Sequence, residues 1–85
     1  MNSPERKITL KQIHGDHNRF YTISIIKDDA TWYTHATWGP TGSTGSVSTL
    51  YKGTVLANAI MTGERFCKKR ITDGYVIASG SLKRR

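Results

Sequence analysis

The hydrophobic pattern of this chain changes its period once, close to residue 53. Before that point, short segments alternate apolar and polar side chains, and after it apolar side chains recur every three or four residues. Alternation is typical of β-strands, and the longer period is typical of an amphipathic α-helix. Because the chain has only 85 residues, this order predicts one domain in which a sheet is followed by a helix.

Four segments in the first part are predicted to be strands, with polar or glycine-rich turns between them. They cover residues 8–13, 20–26, 31–38 and 46–51. In the second and third segments, alternate side chains would share one face of their strand: Tyr21, Ile23 and Ile25 in the second, and Trp32, Thr34, Ala36 and Trp38 in the third. The links are short enough for hairpins, which favours an antiparallel meander.

The second part predicts one helix over about residues 54–71, with Thr54 as its N-cap. Lysine and arginine occupy its last turn, where cations interact favourably with the helix dipole. Asp73-Gly74 is a stop signal, and residues 75–78 are predicted to form a short final strand. The expected fold class is α+β: an antiparallel sheet of four or five strands with one long helix packed across one face.

One domain is expected over residues 1–78, followed by a flexible basic tail over residues 79–85. No segment approaches the ~20 apolar residues of a membrane span, and the N-terminus lacks the apolar run of a signal peptide. Cys67 is the lone cysteine, which fits a reducing compartment and a place in the core. The expected location is the cytoplasm, or the nucleus in a eukaryote.

Positive charge is concentrated in the second half of the chain. The net charge is +7 and the pI is near 9.9. Residues 1–45 hold five basic and four acidic side chains, whereas residues 46–85 hold eight and two. Such a field attracts polyanions over about 8–10 Å, and a pI above 9 is typical of nucleic-acid binders. A solubilising role, an acidic protein or an acidic membrane surface are the alternatives.

A tryptophan-glycine pair opens the glycine-rich loop after the third predicted strand. The segment Trp38-Gly39-Pro40-Thr41-Gly42-Ser43-Thr44-Gly45-Ser46 resembles the W-G-R-h-G-x-x-G-Q pattern of the WGR domain, where h is apolar. It matches at Trp38, Gly39, Gly42 and Gly45, whereas Pro40 and Ser46 replace the Arg and the Gln of the pattern.

Two further segments resemble the same family. Asn18-Arg19-Phe20-Tyr21 is similar to the Asn-Lys-Phe-Tyr that often starts the family's second strand. The helix and its end fit the family through Ala59, Phe66, Lys69 and Gly74-Tyr75. The resemblance spans roughly residues 8–78.

WGR domains occur in poly(ADP-ribose) polymerases, where they help to recognise DNA ends and relay that contact to the catalytic domain, and in small bacterial proteins. The resemblance implies that Trp38 stacks near the end of a bound DNA strand. Pro40 has no charge, no side-chain donor and no backbone N–H. The resemblance therefore gives no support in this chain to the contacts of the family's Arg, including the interdomain relay.

The residue types of this region also favour nucleic-acid binding. An aromatic ring at a loop edge can stack on a base, worth ~1–3 kcal/mol per base; glycines admit phosphates to backbone N–H groups, and cations add a salt-dependent attraction. The candidate nucleic-acid-binding residues are Arg19, Trp38, Gly39, Gly42, Gly45, Lys52, Arg65, Lys68, Lys69, Arg70, Lys83, Arg84 and Arg85. The alternatives are that Trp38 is a core residue, the loop a plain hairpin and the helix-end cations a solvated surface.

Metal binding and catalysis have little support. His14-Gly15-Asp16-His17 could ligate Zn²⁺, but no further His pair or Cys completes a tetrahedron, since His35 and Cys67 lie on other elements. A polar turn is expected instead, with His35 at the surface, and no metal or cofactor is implied. No nucleophile has an adjacent base, and no paired acids are placed in a cleft, so an enzyme is not expected.

Three functions remain open. The first is a DNA-binding module that makes backbone and stacking contacts with little base specificity, with RNA the less favoured nucleic acid. The second is a protein-interaction module, an adaptor or small inhibitor of a larger nucleic-acid-processing protein, which Pro40 favours. The third is self-association through a sheet face carrying Tyr33 and Tyr51, so that a monomer or a weak homodimer is expected. No membrane partner is expected.

Overall fold

The structure is a computed structural model that describes residues 6–14 and 17–82. Its elements follow the predicted order of four strands, a helix and a strand. β1 spans Arg6–His14, β2 His17–Asp28, β3 Thr31–Pro40, β4 Ser46–Gly53, α1 Leu56–Thr72 and β5 Val76–Ser81. No helix within the described residues is long and apolar enough to cross a membrane.

The five strands form one antiparallel sheet in the order β4-β3-β2-β1-β5. The first four strands are neighbours in chain order, which confirms the predicted meander. β5 lies beside β1, at the opposite edge from β4. The helix that joins β4 to β5 therefore crosses one face of the sheet, and the predicted α+β architecture is confirmed.

The core lies between α1 and the face that α1 covers. Its largest fully buried side chains come from the central strands: Leu10, Ile23, Ile25 and Thr34. The hydroxyl of Thr34 donates to the carbonyl oxygen of Ala59 at 2.8 Å, so this buried polar group has its partner. Gly63 lets the helix backbone approach the sheet, because a Cβ there would lie 3.1 Å from Cγ2 of Ile23.

The start of the helix differs from the prediction and its end agrees with it. Val55, not Thr54, is the N-cap residue, and it makes no side-chain capping bond. Val55 has extended dihedrals, which apolar periodicity alone does not reveal. At the other end, the N–H of Asp73 donates to the carbonyls of Lys69 and Arg70. Gly74 follows with φ of +103°, which confirms the stop signal.

The last strand takes in part of the predicted tail. Ser79 pairs with Thr9 of β1, Gly80 pairs with Ile8, and Leu82 is only 3% exposed. The Ser- and Gly-rich composition indicated a tail from residue 79, but ladder pairing and burial of an apolar side chain hold this segment against the domain. Residues 83–85, the rest of the predicted tail, lie outside the described residues.

The second sheet face, which we call the outer face, is not covered by α1. Tyr33 lies on it opposite Lys52, and His35 is half-buried beside Tyr33, with the ring centroids 5.6 Å apart. Tyr51 instead pairs with Thr34 and packs against the core. The prediction that Tyr33 and Tyr51 share a face is therefore wrong. The irregularity in the β3–β4 pairing between Thr34 and His35 is the cause, since an extra residue in one strand reverses the alternation.

Cys67 is buried in the core. Burial raises the pKa of its thiol above 9.0, and the Glu64 carboxylate raises it further. Because the thiolate is the reactive form, we expect iodoacetamide to modify the native protein at neutral pH more slowly than the unfolded chain. The native rate should keep rising above pH 9.0, where the rate of the unfolded chain levels off. Equal rates and equal pH profiles would contradict this expectation.

Candidate nucleic-acid interface

A shallow pocket opens at the end of the sheet where β2 begins and β3 ends. The register places Arg19 opposite Pro40, and Tyr21 opposite Trp38. The end of α1 reaches the same place and contributes Arg70. We call this the Trp38 pocket; it has a volume of about 480 Å³ and is lined by Arg19, Tyr21, Trp38, Gly39, Pro40, Gly45, Ser46, Arg70 and Tyr75.

Three aromatic rings lie together in the Trp38 pocket. The centroid of Tyr21 is 6.4 Å from that of Trp38, with the ring planes inclined by 26°, and 6.3 Å from that of Tyr75 in an edge-on arrangement. Tyr21 is buried, whereas Trp38 is 39% exposed. An indole supported by a buried ring has surface available for stacking. The alternative interpretation of Trp38 as a core residue is therefore wrong.

Two arginines flank these rings. The guanidinium carbon of Arg70 lies 4.7 Å from the centroid of the Tyr21 ring, within the range of cation–π attraction. Its Nη1 is 3.5 Å from Oδ2 of Asp73, and its buried Nε has no hydrogen-bond partner. Since a guanidinium has five N–H donors, Arg70 keeps donors for an anion. Arg19 is exposed on β2.

The glycine-rich loop has a defined shape. The N–H of Ser43 donates to the carbonyl of Pro40 at 3.1 Å, and the Ser43 hydroxyl donates to the same oxygen at 2.7 Å. The N–H of Thr41 donates to the carbonyl of Asn18 at 2.8 Å. Gly45 has φ of +76°, and a Cβ there would lie 2.5 Å from the Trp38 carbonyl oxygen. The loop therefore folds back closely on the tryptophan.

A methyl group at Gly45 should damage this arrangement more than one at Gly42. Both residues have positive φ, but a Cβ on Gly42 would meet nothing within 4 Å. We expect Gly42→Ala to cost about 1 kcal/mol through its dihedral alone, and Gly45→Ala to cost at least about 1 kcal/mol more through the added clash. Chemical denaturation of the two variants measures the difference. Equal losses would mean that the close approach at Gly45 is unimportant.

The predicted binding residues do not all lie in one place. Five line the Trp38 pocket: Arg19, Trp38, Gly39, Gly45 and Arg70. Gly42 is exposed in the loop and Lys69 is exposed in the last turn of α1, and neither lines the pocket. Arg65 and Lys68 line a groove between α1 and β5. Lys52 lies on the outer face, and Lys83, Arg84 and Arg85 lie outside the described residues.

Sequence reasoning missed four lining residues: Tyr21, Pro40, Ser46 and Tyr75. The place of Tyr21 beside Trp38 could have been predicted from the hairpin. A two-residue turn at 29–30 pairs residues 28 and 31, and counting outward from that pair brings residue 21 opposite residue 38. Ser46 could have been found in the same way, as the partner of Trp38 in β4. Tyr75 carried no such signal, because its position depends on how α1 crosses the sheet.

The family model of the WGR domain matches residues 6–80 of the chain. The chain belongs to the WGR domain family. No significant match was found among curated proteins or among solved structures. The WGR domain is a binding domain known as a nucleic-acid-binding module. In this WGR domain the tryptophan and glycine of the pattern, Trp38 and Gly39, line the pocket, and Arg19 lies directly across the ladder from Pro40.

Proposed function

We propose that this WGR domain binds DNA at the Trp38 pocket through stacking and phosphate contacts, with little base specificity. The observation that carries the proposal is the convergence of a partly exposed tryptophan with Arg19 and Arg70 at one pocket. Every base offers a π-face to the indole, and the arginines would neutralise phosphates. Because the pocket is shallow, it inserts no element into a DNA groove, and base edges would not be read.

The replacement of the family's Arg by Pro40 is compatible with this function. Arg19 lies across the ladder from Pro40, and Arg70 is held over Tyr21 by its contact with the ring. The positive charge of the pocket therefore comes from β2 and α1 instead of from the third position of the pattern. This arrangement supports polyanion binding and gives no support to a relay toward a catalytic domain.

Anisotropy titrations of a labelled short duplex at about 50 and 200 mM salt test the proposal. Neutralisation of about three phosphates should lower the association constant about 40-fold across that range. Trp38→Ala should weaken binding at least ~10-fold at either salt concentration, whereas Trp38→Phe, which keeps a ring, should retain most of it. Absence of binding at the lower salt concentration, or full binding by a folded Trp38→Ala variant, would reject the proposal.

A second candidate function is interaction with a larger protein, and a different surface favours it. The groove between α1 and β5 exposes Met61, Ile71 and Ile77 by 57%, 44% and 56%. Arg65 and Lys68 also line it, together with one acid, Glu64. An amphipathic helix with acidic residues beside its apolar stripe would complement this groove. Purification from the native host after nuclease treatment tests it: a partner that Ile71→Asp releases supports the candidate, and its absence rejects it.

A further inference from the structure

The outer face of the sheet carries chemistry that the Trp38 pocket does not use. The strand register places its side chains in rows that run across the strands. The rows are Lys7, Ser24, His35 and Thr49; Thr9, Thr22, Thr37 and Val47; and Ile26, Tyr33 and Lys52. Most of these side chains carry hydroxyls, amines or aromatic rings, which are groups that can contact phosphates or stack on bases.

Two partly exposed rings lie side by side on this face. Tyr33 and His35 have centroids 5.6 Å apart with planes inclined by 49°, and both are half-buried in a strand, which limits their motion. The Nζ of Lys52 lies 5.9 Å from the centroid of the Tyr33 ring. A cation beside two anchored rings is the combination that sheet-face modules use to hold unstacked bases and their phosphates.

The charge on this face is positive. Lys7, Lys11 and Lys52 are exposed on it. Of the four acids among the described residues, Glu64 and Asp73 belong to α1 and its C-cap, on the other side of the sheet. Asp28 ends β2 opposite Thr31 and shares the outer face with Ile26, and Asp29 lies in the turn that follows. The three lysines therefore exceed the acids at this face.

We propose that the outer face binds a single strand of nucleic acid, with bases stacked on Tyr33 and His35 and phosphates held by Lys7, Lys11 and Lys52. This site is separate from the Trp38 pocket and does not depend on the function proposed for it. A single strand is required because the bases of a duplex are stacked on one another and cannot lie on the rings. An acidic peptide would use the lysines but would gain nothing from the aromatic pair.

Anisotropy titrations of a labelled oligothymidylate test the proposal. Tyr33→Ala should weaken its binding about tenfold, whereas Tyr33→Phe, which keeps the ring, should stay within about threefold of the wild type. Lys52→Ala should lower the slope of log K against log salt by about 0.7. Lys27→Ala, which removes the same charge beside Trp32 on the helix side of the sheet, should leave the slope less affected.

Three comparisons decide the outcome. Duplex binding should be unchanged in Tyr33→Ala, and oligothymidylate binding should persist in Trp38→Ala, so that failure of this site is distinguishable from failure of the pocket. If Tyr33→Ala is not folded by circular dichroism, His35→Ala and the exposed substitution Lys52→Glu take its place. Full oligothymidylate binding by these variants would overturn the proposal. Loss of oligothymidylate binding in Trp38→Ala would also overturn it, as would displacement of the oligothymidylate by polyglutamate at equal charge concentration.

Discussion

Replacing Arg70 by Ala should weaken duplex DNA binding about tenfold and lower the slope of log K against log salt by about one. The guanidinium carbon lies 4.7 Å from the centroid of the Tyr21 ring. Its ion pair with Asp73, at 3.5 Å, uses only one of its nitrogens. A charge-assisted bond to phosphate contributes more than this half-exposed ion pair. Anisotropy titrations at several salt concentrations measure both quantities. If the slope equals that of the wild type, Arg70 does not contact a phosphate of the bound DNA.

A second substitution, at the ion-pair partner of Arg70, should strengthen DNA binding. Asp73→Asn removes the carboxylate that competes with DNA for the guanidinium and leaves the backbone N–H that ends the helix. We expect binding to become about two- to threefold tighter, consistent with a pair worth less than about 1 kcal/mol. Lys27→Ala is the matched control for Arg70→Ala, because it also removes one positive charge. Lys27 lies about 26 Å along β2 from Arg19, which lines the pocket.

Gly63→Val should be the most destabilising single substitution in the helix. A Cβ at Gly63 would lie 2.9 Å from Cδ1 of Leu82 and 3.1 Å from Cγ2 of Ile23, so a branched side chain must move the helix away from the sheet. Overpacking of this kind costs about 3 kcal/mol, a large part of the roughly 4–13 kcal/mol expected for a domain of this size. Urea denaturation measures the loss in the free energy of unfolding.

The matched control for Gly63→Val is Ala57→Val on the exposed surface of the same helix. It introduces the same β-branched side chain with no core contact, and we expect it to cost about 0.6 kcal/mol through helix propensity. If the two substitutions cost the same, the close approach of α1 to the sheet at Gly63 contributes nothing to stability.

The fold was largely predictable because its alternation and helical period are local properties of the chain. Alternation grouped Ile23 with Ile25 on one face and Ala36 with Thr34 on another, and the members of each pair are buried together. It failed at Tyr51, because the irregularity in the β3–β4 pairing reverses the faces and has no local signature. The place of residues 79–82 was not predicted, because Leu82 packs against core residues that lie far away in the sequence.

The pocket was predictable only in part, for a related reason. Trp38 and Gly45 follow from the pattern of the loop, and Arg19 from its neighbouring segment. The approach of Arg70 and Tyr75 to Tyr21 requires the path of α1 across the sheet, which periodicity does not specify. Basic residues at one end of a helix were therefore divided by the fold: Arg70 lines the pocket, and Lys68 lines the groove beside β5.

The emission of Trp38 during a DNA titration reports on the proposed stacking contact itself. The chain has two tryptophans, and Trp32 packs against the core, so Trp32→Phe leaves Trp38 as the only indole. If DNA stacks in the pocket, emission of the variant should be quenched along the same curve as anisotropy of the labelled duplex. Saturation by anisotropy with unchanged Trp38 emission would mean that DNA binds without stacking on Trp38.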